Sequence, residues 1–420
     1  MPKHWCANVF PAVLVLLLAA CGASAVRDNP VQQIDGAADI NQLIDLFETR
    51  YAYLAESGCN TVVLREELDS VARHVTHRAQ LIPLLERALD CLHDPHATLG
   101  TNLDTSTRLI PTGLEAWATL EGESVRVSQV RYGTQAWIAG LRSGDRIVRF
   151  HNEAANVAID RRMPCCQTSA TAQADVRQWA LLALLAGRHD RPVALDVTRA
   201  GIPLTITYTP AESKPRSQQS VTFRRLPGNI GYIALHNLGD EKAVVAFDAA
   251  LTALRDTRRL VLDLRDTPGG GNTDVAEPIL GRFIQRPSPY QRIQPMHGAA
   301  WNREVTPRGP WIYDAPIDVL VSRWTGSMGE GMAIGLDGMQ RANVCGSGMA
   351  GLKGAIFDHQ LSSSGIMVKL PGERLAHLNG TPREAWLPPT YIDDAESDTS
   401  SSLDTWINDS VRACETARAK

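Results

Sequence analysis

The spacing of apolar and polar positions divides the chain into stretches of different period. Ile40, Leu43, Ile44, Phe47 and Tyr51 recur at helical spacing, and a second stretch of that period runs from Val71 to Leu92. From about 106 to 210 the pattern shortens into β-type runs punctuated by Gly. Among them are Val125-Arg126-Val127, Ile147-Val148-Arg149-Phe150 and Val193-Ala194-Leu195-Asp196-Val197. Beyond a polar linker containing Lys214-Pro215, strand and helix signals alternate. Residues 230–235 predict a strand, 241–254 a helix and 260–264 a continuous apolar strand. A helix then starts near Thr273, residues 317–321 form another buried strand, and a helix follows Ser327. Strand, helix, strand with short connections implies right-handed βαβ units and a mostly parallel sheet. Residues 355–361 and 366–370, around Ser362-Ser363-Ser364-Gly365, predict a hairpin, and 403–417 a final helix.

Composition narrows the function classes. A chain of 420 residues, 44% apolar and 21% charged, suits a globular protein of two or three domains. Its net charge of −4 and its lack of any basic stretch argue against a nucleic-acid partner. There is no H-E-x-x-H, no His/Asp cluster at ligand spacing and no nucleotide-binding fingerprint, so neither metal nor cofactor is expected.

The N-terminus reads differently. Lys3 and His4 precede an apolar stretch over 9–18 that has signal-peptide length and is too short to span a bilayer. It ends in Leu18-Ala19-Ala20-Cys21-Gly22, which resembles the lipobox of bacterial lipoproteins. That resemblance implies loss of residues 1–20, lipid on Cys21 and a tether over 21–34. The chain would then be anchored in the bacterial envelope, at the outer membrane on its periplasmic side; a plain secretory signal is the alternative. Export would leave Cys59, Cys91, Cys165, Cys166, Cys345 and Cys414 in an oxidising compartment. Cys59 with Cys91, both closing helical stretches, is the expected pair, and Cys165-Cys166 is expected to be structural.

Two segments could carry chemistry. In Trp324-Thr325-Gly326-Ser327-Met328-Gly329-Glu330, a buried strand ends just before Ser327 and a helix begins just after. A hydroxyl on such a turn stands at the sheet's carboxyl edge, among N–H groups that face any developing negative charge. Taken alone, a Ser there reads first as an N-cap. In Leu262-Asp263-Leu264-Arg265-Asp266-Thr267-Pro268-Gly269-Gly270-Gly271 a strand runs into three glycines. Their N–H groups can face a site unobstructed, as an oxyanion hole requires, though a plain turn is also consistent.

Ala139-Gly140-Leu141-Arg142-Ser143-Gly144-Asp145-Arg146-Ile147 resembles the signature of PDZ domains, with the long stretch 153–178 as a departure. That resemblance implies an edge to which an extended peptide could add as a strand. A small β-domain that only packs against its neighbour is the alternative. Gly231-Tyr232-Ile233, the 262–270 segment, and Ser327 with Glu330 together resemble the tail-specific (C-terminal processing) serine proteases, including their tricorn-core relatives. The resemblance implies an α/β peptidase core of crotonase-like βαβ units over 223–395. Before it would stand a helical domain over 35–105, a PDZ-like β-rich domain over 106–210 and a linker over 211–222. A C-terminal helix over 396–420 would follow.

Carried over by that resemblance, Ser327 is the nucleophile, with Met328 and Gly269 or Gly270 supplying oxyanion donors. Two bases remain open. Lys353, in Gly351-Leu352-Lys353-Gly354, sits one residue out of step with the Ser/Lys branch; His96, in Asp94-Pro95-His96, with Glu384, stands where the tricorn-like branch has its pair. Expected substrates are unstructured polypeptide tails, with an adaptor protein as a further partner of unknown identity. An inactive peptide-binding lipoprotein of the same fold is the rival reading.

Overall fold

The structure, a computed structural model, describes residues 33–164, 166, 173–211, 219–392 and 403–419. The leader, Cys21 and the tether up to residue 32 lie outside the described residues, as do Cys165 and the linker positions 212–218. Among the described residues no helix is long and apolar enough to cross a membrane.

A six-stranded sheet organises the C-terminal half. Its order is Thr390–Tyr391, Asn343–Gly346, Ile317–Val321, Arg259–Asp263, Ile230–Leu235 and Val221–Leu226. All pairings are parallel except the last, so an antiparallel strand closes one edge. The inner strands Ile230–Leu235, Arg259–Asp263 and Ile317–Val321 are covered on both faces, which is why they read as nearly unbroken apolar runs, whereas the edge strand Val221–Leu226 is largely exposed and polar in alternation. Alternate side chains divide between the faces. Leu260, Leu262, Val319 and Val321 join the core under helices Lys242–Ala253, Thr273–Leu280 and Met328–Gly338. Val261, Leu320, Tyr232 and Cys345 face Ile407, Val411 and Cys414 of helix Leu403–Ala419. A disulfide between Cys345 and Cys414 ties that helix to the sheet.

Residues 110–208 form a second sheet, ordered Ala116–Glu121, Ser124–Val130, Arg146–Phe150, Val193–Arg199 and Ile202–Tyr208, with its own core. The long 153–178 departure contains helix Ala155–Arg162 and the start of helix Gln173–Ala186. Of the sheet's two edges, Ile202–Tyr208 is largely exposed, while the other is partly occupied. Ala116–Glu121 ends the sheet, but the Gln178 amide accepts from Leu120 N–H (3.2 Å) and donates to the Ala118 carbonyl (2.8 Å).

The N-terminal helices Gly36–Arg50, Thr61–Ala72 and Arg78–Asp90 share a core with Leu361, Ile366, Val368 and Leu370 of the 355–376 hairpin. The predicted helical stretch 71–92 breaks at 73–77, because the chain turns there and the apolar spacing restarts. The expected Cys59–Cys91 pair is corrected. Cys91 bonds Cys166, 75 residues away, because the 166 turn folds back onto the helix end, where Asn60 N–H donates to the Cys166 carbonyl (3.1 Å). Cys59 stays a thiol with its Sγ 2.6 Å from that of Cys91, and burial pushes its pKa up to about 12.

Candidate active site

Ser327 sits between strand Ile317–Val321 and helix Met328–Gly338, and its backbone is strained, with φ 50° and ψ −114°. A non-glycine residue reaches that region only when its surroundings impose it, and such strain clusters at functional sites. The surroundings here are specific. Thr325 Oγ1 donates to the Leu264 carbonyl (2.8 Å) and accepts from Ser322 N–H (3.0 Å). The Glu330 carboxylate, one turn into the helix, accepts from Ser327 N–H (2.7 Å), Gly351 N–H (2.9 Å) and Leu352 N–H (3.3 Å). Glu330 thereby binds the serine turn to the 351–354 turn. Burial pushes its carboxyl up to about 7 against the pull of Arg383 and those three donors.

The hydroxyl meets a histidine from the other end of the chain. His96 Nε2 lies 3.1 Å from Ser327 Oγ, and His96 Nδ1 lies 2.6 Å from the Lys353 carbonyl oxygen. A carbonyl only accepts, so Nδ1 carries the proton and Nε2 presents a lone pair to the serine hydroxyl. Two anchors hold the imidazole. Strand Thr98–Leu99 pairs antiparallel with Met367–Ala376, and the Asp94 carboxylate accepts from His96 N–H (2.9 Å) and from Tyr51 OH (2.9 Å). Burial, helped by the nearby Arg383 charge, lowers the His96 pKa to about 4. The ring is therefore neutral across neutral pH. If it takes the serine proton, the limb of kcat/KM that belongs to His96 should lie in acid, around the value of about 4 that burial gives it, and should remain in a Glu330→Gln variant, which removes any step from the Glu330 carboxyl near 7. A pH–rate profile on an uncharged peptide measures this; a midpoint at the roughly 6.5 of an ordinary histidine that persists in Glu330→Gln would count against His96.

The 269–270 loop closes the third side. Gly270 has φ +60°, and a Cβ there would lie 2.5 Å from Ser327 Cβ and 2.7 Å from Met328 N, so only glycine fits. The Gly270 N–H donates to the Thr267 carbonyl (3.2 Å). Gly269 N–H and Met328 N–H make no hydrogen bond among the described residues, and a Cβ on Gly269 would meet nothing within 4 Å. Thr267 also accepts from Gly326 N–H (3.2 Å), tying this loop to the serine turn. Asp266, just before it, is buried against Arg131, whose Nε lies 2.9 Å from Asp266 Oδ1; His236 Nδ1 lies 3.3 Å from Oδ2.

Of the residues singled out in the sequence, Ser327, His96, Met328, Gly269 and Gly270 come together. Lys353 joins them through its backbone: its carbonyl holds His96, while its ammonium stands 5.7 Å from the Tyr53 ring centroid. Glu384, in the short turn Arg383–Ala385, is not hydrogen-bonded to His96, and its Oε2 is buried without a hydrogen-bond partner among the described residues. The place where a carboxylate would orient the imidazole belongs to the Lys353 carbonyl. Sequence reasoning did not foresee Asp94, Tyr51 or Arg383 as supports. The Arg383 guanidinium donates to the carbonyls of Leu352 (2.7 Å) and Gly354 (2.8 Å), on either side of Lys353, and so fixes the turn that presents the Lys353 carbonyl. His377 pairs with Asp337 at 3.1 Å, away from the site.

Residues 229–391 match the model of Peptidase family S41. In fold the chain is similar to the photosystem II D1 C-terminal processing protease, at 21% identity and a TM-score of 0.54, covering 89% of this chain and 96% of that one. It is also similar to mature CPAF, at 13% identity and a TM-score of 0.60, covering 92% and 98%. The chain thus carries a Peptidase family S41 domain and is a serine-type peptidase.

Proposed function

We propose that this peptidase cleaves unstructured polypeptide tails through an acyl-enzyme on Ser327, with neutral His96 as its base. The observation that carries the reading is the chain of contacts from Ser327 Oγ to His96 Nε2 (3.1 Å) and from His96 Nδ1 to the Lys353 carbonyl (2.6 Å). The serine proton passes to Nε2 as Oγ attacks the scissile carbonyl. The carbonyl oxygen, now negative, takes hydrogen bonds from Met328 N–H and Gly269 N–H, which have no other hydrogen-bond partner among the described residues. The imidazolium, disfavoured by burial, gives its Nε2 proton readily to the leaving amine. Water activated by the same nitrogen then releases the acyl group. The disulfides Cys91–Cys166 and Cys345–Cys414 support an oxidising compartment, consistent with export and lipid attachment at Cys21.

A pair of substrates tests the tail preference: one folded domain carrying an unstructured C-terminal extension, and the same domain without it. Mass spectrometry should find cleavage in the extension alone, with the domain left whole. Equal resistance of both substrates would refute the reading.

A further inference from the structure

We infer that the 110–208 region is a working part of the active site, with Arg131 and Trp324 as positioning residues that fix the two oxyanion donors relative to each other. The inference rests on the peptidase reading, since it concerns the Met328 and Gly269 N–H groups of that reaction. These donors stand on two separate turns, one following strand Ile317–Val321 and one following strand Arg259–Asp263. Each turn is anchored on the 110–208 region a few residues before its donor.

On the glycine turn the anchor is Asp266. It is buried, and Arg131, just past strand Ser124–Val130, donates from Nε to its Oδ1 (2.9 Å). Little else directs Gly269. Its N–H has no hydrogen-bond partner among the described residues, and a Cβ there would meet nothing within 4 Å. Pro268 before it has a locked φ and no N–H to bond. The direction of the Gly269 N–H is therefore inherited from the two residues ahead of that proline. Thr267 Oγ1 ties to the core strand through the Leu235 carbonyl (2.5 Å), and Asp266 ties to the 110–208 region.

On the serine turn the anchor is Trp324. Its ring is buried in the core of the 110–208 region, and its Nε1 donates to the Leu114 carbonyl (2.6 Å). A side chain close-packed in that core leaves the turn little room to shift. The two anchors meet on one piece of backbone. Arg131 N–H donates to the carbonyl of Glu115, the residue after Leu114 (2.8 Å). One stretch of the 110–208 region thus holds both turns, and the spacing of the donors follows from it. An oxyanion hole stabilises its intermediate only when its donors are already in place. Asp266 keeps a second contact, with His236 Nδ1 at 3.3 Å, so removing Arg131 does not leave the buried carboxylate without a partner.

Arg131→Ala, Arg131→Lys and Trp324→Phe test this on one short fluorogenic peptide. Trp324→Phe keeps an aromatic ring and removes the N–H that Leu114 accepts, so it decides the matter should Arg131→Ala fail to fold. A fluorophosphonate titration counts the folded active sites, and kcat is expressed per site. Arg131→Ala should lower kcat about a hundredfold with KM changed by about twofold or less, the size of one misaimed oxyanion donor. Trp324→Phe should lower it about tenfold, as loss of one buried hydrogen bond does. Arg131→Lys, which keeps the charge without the planar fork, should fall between Arg131→Ala and the wild type. A peptide aldehyde gives the second readout, because its carbonyl oxygen becomes the oxyanion when Ser327 Oγ adds to it. Its affinity should fall by the same factor as kcat in each variant. Residues that only stabilised the fold would lower the melting temperature and leave both quantities unchanged per site. Wild-type kcat per site in both Arg131→Ala and Trp324→Phe overturns the inference, and so does a fall in kcat with aldehyde affinity unchanged. A wild type that neither cuts the peptide nor binds the aldehyde overturns the peptidase reading and this inference with it, whereas fully active variants overturn this inference alone.

Discussion

Replacing Ser327 with Ala should lower kcat on an unfolded polypeptide by on the order of a millionfold while leaving peptide binding intact. The hydroxyl is the one group at the turn that can form the acyl bond. The scaffold around it does not depend on that oxygen: Glu330 holds the Ser327 N–H and Thr325 holds the Leu264 carbonyl, and both contacts persist with a methyl side chain. The backbone at φ 50° remains strained for Ala as it is for Ser, so the fold should change little. Two measurements check this: steady-state cleavage, and labelling by a fluorophosphonate, which needs a nucleophilic serine. Retained cleavage by the variant would place the nucleophile elsewhere.

The central sheet was legible because its inner strands are buried on both faces. A strand covered on both sides has no polar alternation to disguise it, and residues 317–321 and 230–235 match the strands formed. Ser327 and Gly270 were legible because each stands beside its own strand, where local sequence dictates the turn. What pairs across the chain was not. His96, legible only through the family resemblance as one of two candidate bases beside Lys353, lies 231 positions from Ser327, and no periodicity reports that separation. The same holds for the Cys91–Cys166 bond and for the Arg131–Asp266 pair between the 110–208 region and the glycine loop. The role of Lys353 was hidden for another reason. Sequence names side chains, whereas the group used here is a main-chain carbonyl, available from any residue type. Helix Gln173–Ala186 escaped because its apolar residues run almost continuously from Trp179 to Ala186 and leave little contrast between faces.

That difference between carbonyl and ammonium separates the two candidate bases by experiment. His96→Ala should cut kcat by several orders of magnitude, since no other nitrogen lies at hydrogen-bond distance from Ser327 Oγ among the described residues. Lys353→Ala keeps the carbonyl that orients Nδ1, so it should leave the ring in place. Its loss is confined to the ammonium beside the Tyr53 ring, which also bears electrostatically on Asp94, whose carboxylate holds the His96 loop. The expected loss in kcat for Lys353→Ala is therefore about tenfold or less, an energy of roughly 1.4 kcal/mol. Removing a true base costs far more than that, because without it the hydroxyl must attack in its neutral form. Measuring kcat for both variants on one peptide decides the matter. A loss in Lys353→Ala as large as in Ser327→Ala, with His96→Ala nearly active, would transfer the proton to lysine and leave His96 as a packing residue.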